Sequence, residues 1–477
     1  MNPRGAAAAF AVAVAVTVVG CDPAQSPPGP DPDVGKLDDH CAPIFQPDIV
    51  PDYYVDVSPG EWAKLEDEFL HRDARVAAGL DPAPYHPIKF TYQGKEVPNA
   101  MIRLRGNWSW TEAVMVDARP KMQFNISFNE IDPKGRFQGL RKILLDMPRS
   151  DGTFLRQRLA LFYLRSIGIP AQCANNARLF INGDYYGLYT NLERMDKDFL
   201  QRNFGKIDDT GDLWESGRII KTNEESFSWA RIDALWAART PADVDALADV
   251  DASVREWAAE VVPPHTDGYY MGRANFYLYD HPTRGFIWLP TDLDGAFDFL
   301  APDTTPLFPA CSGRWPGDWD LYILLMKDPT WRQRYVDALA EVRAKYDVDL
   351  MQRVLDAWAA QIHDAAAADP MKPFPTDVFV ASVQTLRDYF PLRAQYLDAW
   401  LACRKSGGPD RDGDGVSFCE DCNDAAADVH PGATDTCDRR DDDCDGVTDP
   451  DTCMSPTPPP PLPRSLQPAP PVASSTH

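Results

Sequence analysis

Positive charge is what this sequence has least of. Lys and Arg number 47 against 72 Asp and Glu, a net charge of −25 at pH 7. So acidic a surface repels phosphate backbones and excludes nucleic acid as the main partner. Long apolar runs are missing too. The run Ala6–Val19, broken only by Thr17, has fourteen residues, fewer than the about 20 that a spanning helix needs. It fits the core of an export signal over 1–20, with Arg4 as its positive end. Proline, by contrast, is plentiful at 44 residues. Much of it makes 22–40 a stiff tether and, with four in a row at 458–461, makes 454–477 a disordered polyproline tail.

Between these segments, residues 41–402 read as one large domain. The spacing predicts a helix over Glu61–Leu70 (Trp62, Leu65, Phe69), opened by Ser58-Pro59. Lys89–Tyr92, Met101–Arg105, Lys121–Phe128 and Leu140–Leu145 alternate as strands do. A helix is expected over Asp151–Ile167, stopped by Gly168-Ile-Pro170. Arg178–Ile181 and Tyr185–Thr190 flank Asn182-Gly183, a pair suited to a type I′ hairpin turn. Residues 229–262 and 320–402 are rich in Ala, Leu, Trp and Arg at helical spacing. Their tryptophans (229, 236, 257, 331, 358 and 400) are expected in the core. The fold class is therefore α+β, with a mixed or antiparallel sheet lobe and a helical lobe.

The stretch Asp267–Asp294 carries the chemistry. A loop aspartate, Asp267, precedes Asn275 and an apolar run, Phe276–Tyr279; a turn and the strand Phe286–Pro290 follow. Asp292 and Asp294 sit just past that strand. A base, a nearby amide and carboxylates beyond a hairpin are the parts of a phosphoryl-transfer site. Solvated loop acids would show the same spacing.

Asp267-Gly-Tyr, Asn275-Phe-Tyr-Leu-Tyr and Leu289-Pro-Thr-Asp292-Leu-Asp-Gly-Ala-Phe resemble the core signature of the CotH family. Two further blocks, Arg103-Leu-Arg-Gly106 to Lys121–Phe128 and Ile181–Tyr189 with Glu193, resemble it as well. The resemblance spans roughly 45–402 and implies an atypical protein-kinase-like fold. It implies ATP and Mg²⁺ (or Mn²⁺) as cofactors. Asp267 would act on the acceptor hydroxyl; Asp292 and Asn275, with Asp294 as a further candidate, would hold the metal. Lys121 would contact the ATP phosphates, and Arg156 and Glu193 would belong to the cofactor site. Arg156 could equally pair with acids. Thr291 stands where the family usually has tryptophan, a loss expected to loosen the loop that aims Asp292.

After Cys403 the composition changes. Residues 409–453 hold fifteen Asp and Glu against three Arg. Asp410, Asp412 and Asp414, then Gly415, Val416 (through its carbonyl) and Asp421 fall at positions 1, 3, 5, 6, 7 and 12 of a Ca²⁺ loop. Asp441, Asp443 and Asp445 with Gly446 repeat its first half, although Thr452 falls at position 12. The run resembles a Cys-rich metal-binding motif appended to secreted bacterial proteins. Val18-Val19-Gly20-Cys21 resembles a lipobox, in which Cys21 would be lipidated. Export favours disulfides among the nine remaining cysteines, one of them odd, with no connectivity deducible.

Two functions stay open. One is an exported, cell-envelope lipoprotein (or a secreted protein) that transfers phosphate to an extracytoplasmic protein acceptor. The other is a surface structural or binding protein that keeps the fold without turnover.

Overall fold

Alternating side chains turn the N-terminal half into one wide sheet, because its strands carry apolar residues on both faces. The computed structural model describes residues 40–106, 121–147, 149–297, 302–307, 321–436, 438 and 440–446. The export signal, Cys21, the tether, Thr452 and the polyproline tail lie outside them. The sheet's strands are β1 (Asp52–Asp56), β2 (His86–Pro87), β3 (Lys89–Tyr92), β4 (Lys95–Val97), β5 (Met101–Leu104), β6 (Phe124–Ser127), β7 (Lys142–Asp146), β8 (Ala174–Ile181) and β9 (Asp184–Glu193). Their order is β2-β5-β6-β7-β9-β8-β1-β3-β4. β1 runs parallel to β8, and the other neighbours are antiparallel. On one face Ile102, Leu104, Phe124, Ile126, Ile143 and Leu145 pack with Tyr53 and Phe90. Leu144, Leu188 and Leu192, on the other face, join the larger core of the helices.

A second sheet is built from β10 (Asp212–Glu215), β11 (Ile219–Ile220), β12 (Phe276–His281) and β13 (Gly285–Pro290), in the order β11-β10-β12-β13. β12 and β13 are the expected hairpin. β10 and β11 are too short for their alternation to stand out in sequence. Helices Val250–Glu260, Pro329–Ala344, Val348–Ala368 and Thr376–Ser406 form the helical lobe. Trp257, Trp331, Trp358 and Trp400 are buried as expected, while Trp229 and Trp236 are only partly covered.

Local chemistry explains where elements begin. The helix Pro59–Leu70 starts where expected, and the Ser58 hydroxyl accepts the Glu61 N–H. Asn182 and Gly183 take φ of 51° and 92°, as a type I′ turn requires. The helix expected from Asp151 starts only at Arg156. The Asp151 carboxylate accepts the Thr153 and Arg156 N–H groups, and Phe154 takes a left-handed φ of 59°, which a helix cannot contain. β6 likewise starts at Phe124 and not at Lys121.

Three disulfides cross-link the described residues: Cys41–Cys173, Cys403–Cys419 and Cys422–Cys444. The first closes a separation of 132 residues, worth about 4–5 kcal/mol in the chain-entropy account. The second fastens the last helix to the acidic module, whose Phe418 and Cys419 belong to the helical core. Among the described residues no helix is long and apolar enough to cross a membrane.

Candidate active site

The site is assembled by a buried histidine. Helix Val250–Glu260 ends in Glu260, which, like His265, is wholly buried. Glu260 Oε1 lies 3.1 Å from His265 Nδ1, and Oε2 accepts the Tyr269 N–H at 3.1 Å. His265 Nε2 lies 3.1 Å from the Asp292 carbonyl oxygen. Both ring nitrogens therefore face acceptors, and only the imidazolium donates to both. Burial would lower its pKa, but the bond and charge of Glu260, with Asp267 and Asp294 behind, raise it. His265 thus ties the loop of Asp267 to that of Asp292.

Asp292 takes a left-handed backbone, φ 55° and ψ 52°, a conformation that persists only when its surroundings hold it. Thr291 supplies two of the holds. Its N–H donates to the Asn275 carbonyl at 3.1 Å and its hydroxyl to Gln172 Oε1 at 3.0 Å. The hydroxyl anchors the loop to the sheet lobe. Asn275 Nδ2 donates to Asp267 Oδ2 at 2.7 Å, and Asp267 is exposed.

Asp294 enters the same field from the short 3-10 turn Leu293–Gly295. Arg156, at the start of its helix, is close enough to lower the Asp294 pKa, and it also pairs with Asp151 at 3.5 Å. Asp146, at the end of β7, pairs with Arg105 at 2.5 Å, while its Oδ2 is buried with no hydrogen-bond partner. Burial and then Asp146 push Asp292 up to about 6, against the pull of Arg105 and His265. Burial and then Asp292 hold Asp294 well above the carboxylate range. Asp292 and Asp294 are both only partly buried. Crowded carboxylates and an orphaned oxygen are short of a cation, so the donor set suits a divalent ion.

The cleft between the two sheets has a volume of about 570 Å³. Arg103, Arg105, Arg194 and Lys221 line it with Asn275 and Asp292. A larger hollow of about 750 Å³ lies by Glu61, Glu68 and His86 and holds none of the expected residues.

The structure brings Asp267, Asn275, Asp292, Asp294 and Arg156 together. It does not bring Lys121 or Glu193 to them. The Lys121 ammonium is buried, 2.6 Å from Asp369 Oδ2 and 2.7 Å from the Leu188 carbonyl, over the Tyr189 ring. Tyr189 belongs to the face of the sheet away from the cleft. The strand expected to present Lys121 starts three residues later, which removes the reason for placing its charge on the cleft face. Glu193 is also buried, paired with Arg202 at 2.5 Å and accepting the Cys173 N–H. Its neighbour Arg194 is the one that reaches the cleft. Sequence reading missed Asp146, Glu260, His265 and the role of Arg105. Of these, only the His265-Thr-Asp267 spacing beside the loop aspartate was a usable signal.

In the acidic module, the carboxylates of Asp412, Asp414 and Asp421 converge within 4.8 Å, as do those of Asp410, Asp412 and Asp424. Asp435, Asp441 and Asp443 form a third group. Asp424 and Asp435 were not foreseen, because they lie outside the regular spacing. Asp445 is drawn off to Lys327 at 2.7 Å. Val416 donates its N–H to Asp414. Asp412 Oδ2, Asp414 Oδ2 and Asp421 Oδ2 are buried without a hydrogen-bond partner. Burial above all raises Asp421 to about 6 and Asp441 to about 7.

Comparison with known proteins gives two family matches. The profile described as CotH kinase protein matches residues 102–397, and that of a metal-binding motif named for copper matches 421–450. The chain is 24% identical over 316 residues to inner spore coat protein H of Bacillus subtilis, covering 59% of this chain and 83% of that protein. It is 23% identical over 283 residues to invasin CotH2 of Rhizopus delemar, covering 52% of this chain but only 42% of the invasin. The crystal structure of the Helicobacter pylori proinflammatory kinase CtkA aligns at a TM-score of 0.30 and 11% identity, over 58% of this chain and 94% of that one. That likeness is too slight to guide a reading of the site.

Proposed function

The chain belongs to the CotH kinase family, and from that premise we propose that it is a phosphotransferase using Mg-ATP on an extracytoplasmic protein hydroxyl. One observation carries the reading: Asp267 is held by Asn275 while His265 fixes Asp292 across from it. Asp292 and Asn275 would hold the metal. A bound Mg²⁺ needs only one or two protein carboxylates, since phosphates and water complete its shell. Bound there, it would supply neutralisation of the charge that develops on the phosphates. Asp267 accepts the acceptor's hydroxyl proton as that oxygen bonds to the γ-phosphorus and ADP leaves. Asn275 keeps the Asp267 carboxylate turned toward the acceptor. His265, as an imidazolium, donates to the Asp292 carbonyl and so sets where the carboxylate points.

Export and lipid anchoring through Cys21 belong to the same proposal. The lipobox-like run and the three disulfides support them. The reading is tested by incubating the purified full-length chain with labelled ATP and Mg²⁺ or Mn²⁺. Phosphate incorporation is expected from the wild type and not from Asp267→Asn. No nucleotide binding and no labelling with either metal would leave the second reading, a binding protein on a kinase-like scaffold. The withdrawal of Lys121 into an ion pair is the observation that favours it.

We further propose that the acidic module binds Ca²⁺. Its converging donors are carboxylate oxygens, three of them buried and unpaired, which suits a hard cation. Copper favours thiolate or imidazole, but Cys422 and Cys444 are joined in a disulfide. Calorimetry of the chelator-treated chain with Ca²⁺ and with Cu²⁺ separates the two ions.

A further inference from the structure

We propose that Arg105, held by Asp146, is the cation that positions the nucleotide's phosphates, the task expected of Lys121. The inference rests on the phosphotransferase reading and names a part of its site.

Lys121 cannot serve without giving up three contacts. Its side chain is 1% exposed, and the Asp369 beside it is fully buried. Asp369 Oδ2 also accepts the Leu188 N–H, so moving the lysine leaves a carboxylate stranded in the interior. A Cβ on Gly187 would meet the ammonium at 2.5 Å and Asp369 at 2.7 Å, which shows how tightly the pair is enclosed.

Arg105 is placed by pairing. Its N–H donates to the Gln123 carbonyl, carrying the β5 ladder one residue beyond Leu104. Arg103 and Arg105 then share the face opposite Ile102 and Leu104, which look into the sheet's own core. The cleft lies against that face. Asp146 Oδ1 lies 2.5 Å from one terminal nitrogen of the guanidinium, and the fork has more donors than one carboxylate can accept. The Arg105 charge also acts on Asp292, the carboxylate that would hold the metal. Among the described residues no other cleft cation combines these features. Arg72 pairs with Asp73 at 3.0 Å. Arg103 lies over the Tyr85 ring at 4.9 Å. Lys221 pairs with Glu215. Arg194 sits by Tyr277 and Asp196. Asp146 is then a positioning residue, which aims the fork at the phosphates.

Calorimetry with Mg-ATP on the full-length chain tests the assignment, with melting curves alongside. Arg105→Gln should weaken binding roughly ten- to hundredfold, the worth of a charge-assisted bond. Arg105→Lys should recover it only in part, because a point charge lacks the fork. Asp146→Asn should raise the KM for ATP more than it lowers kcat, and Asp146→Glu should restore part of that KM. Lys121→Met should lower the Tm and leave the Mg-ATP Kd of the folded protein within about twofold, far below the change expected at Arg105. Wild type that binds no nucleotide overturns the phosphotransferase reading and this assignment with it. Wild type that binds, beside Arg105→Gln binding equally, overturns the assignment alone. So does a Lys121→Met protein that keeps its Tm and loses the nucleotide.

Discussion

Two aspartates in one loop system are asked to do different work, and their surroundings say which. Asp267 is exposed and steered by Asn275, so it is free to meet an acceptor. Asp292 is desolvated, crowded by Asp146 and raised to about 6, so of the two it gains more from a cation. Asp292→Asn should therefore weaken Mg-ATP binding and turnover together. Asp267→Asn should leave nucleotide affinity nearly intact and lower the rate by roughly 10²–10⁴, the usual contribution of a positioned base. Calorimetry beside single-turnover labelling gives both readouts. Equal losses of nucleotide affinity in the two variants would contradict the division of roles.

At the scale of elements, two ion pairs connect pieces far apart in sequence. Lys121 and Asp369 pin the segment before β6 to the end of helix Val348–Ala368. Removing one partner leaves a buried charge, so Asp369→Ala should cost about 3–5 kcal/mol. Lys121→Met with Asp369→Leu should cost clearly less, as urea melts would show. Glu61, on helix Pro59–Leu70, reaches His86 on β2 at 2.7 Å. Bonds from Lys64 and then His86 hold the Glu61 pKa below its ordinary value. A depressed carboxylate pKa adds stability that is present above the unfolded value and lost as pH falls through the folded one. The Tm should thus fall more steeply with acid in the wild type than in Glu61→Gln below about pH 4.5, near the ordinary glutamate value. Parallel Tm-against-pH curves would rule the coupling out.

Across the whole molecule, the acidic module is a clasp on the helical lobe. Cys403–Cys419 joins it to the last helix, Phe418 enters the core, and Lys327 reaches Asp445. An ion that binds only the folded module should therefore stabilise the domain as well. Chelation should lower the Tm of the full chain and Ca²⁺ should restore it. Asp412→Ala with Asp414→Ala should abolish most of that response, and a Tm indifferent to chelator would refute the calcium proposal. The proposed lipid anchor concerns the whole chain too. Cys21→Ser should move the protein out of the membrane fraction and end labelling by a palmitate analogue. An unlabelled wild type that fractionates like the variant would dispose of the lipid.

What the sequence determined by itself was whatever depends on neighbours in the chain. Asn182-Gly183 marks a hairpin because positive φ is a local preference. The Asp410-Asp412-Asp414 spacing brings the Asp412 carboxylate beside each of the other two, because alternate side chains of one turn converge. Asp267, Asn275, Asp292 and Asp294 could be grouped for the same reason, since they flank a single hairpin. Only the tertiary structure decided the rest. Lys121 meets Asp369 across 248 positions, and Arg105 meets Asp146 because β5, β6 and β7 lie side by side. His265 finds the Asp292 carbonyl only once two loops fold onto Glu260. A charge takes its role from the partner that desolvation forces on it, and no local pattern encodes a partner so far away.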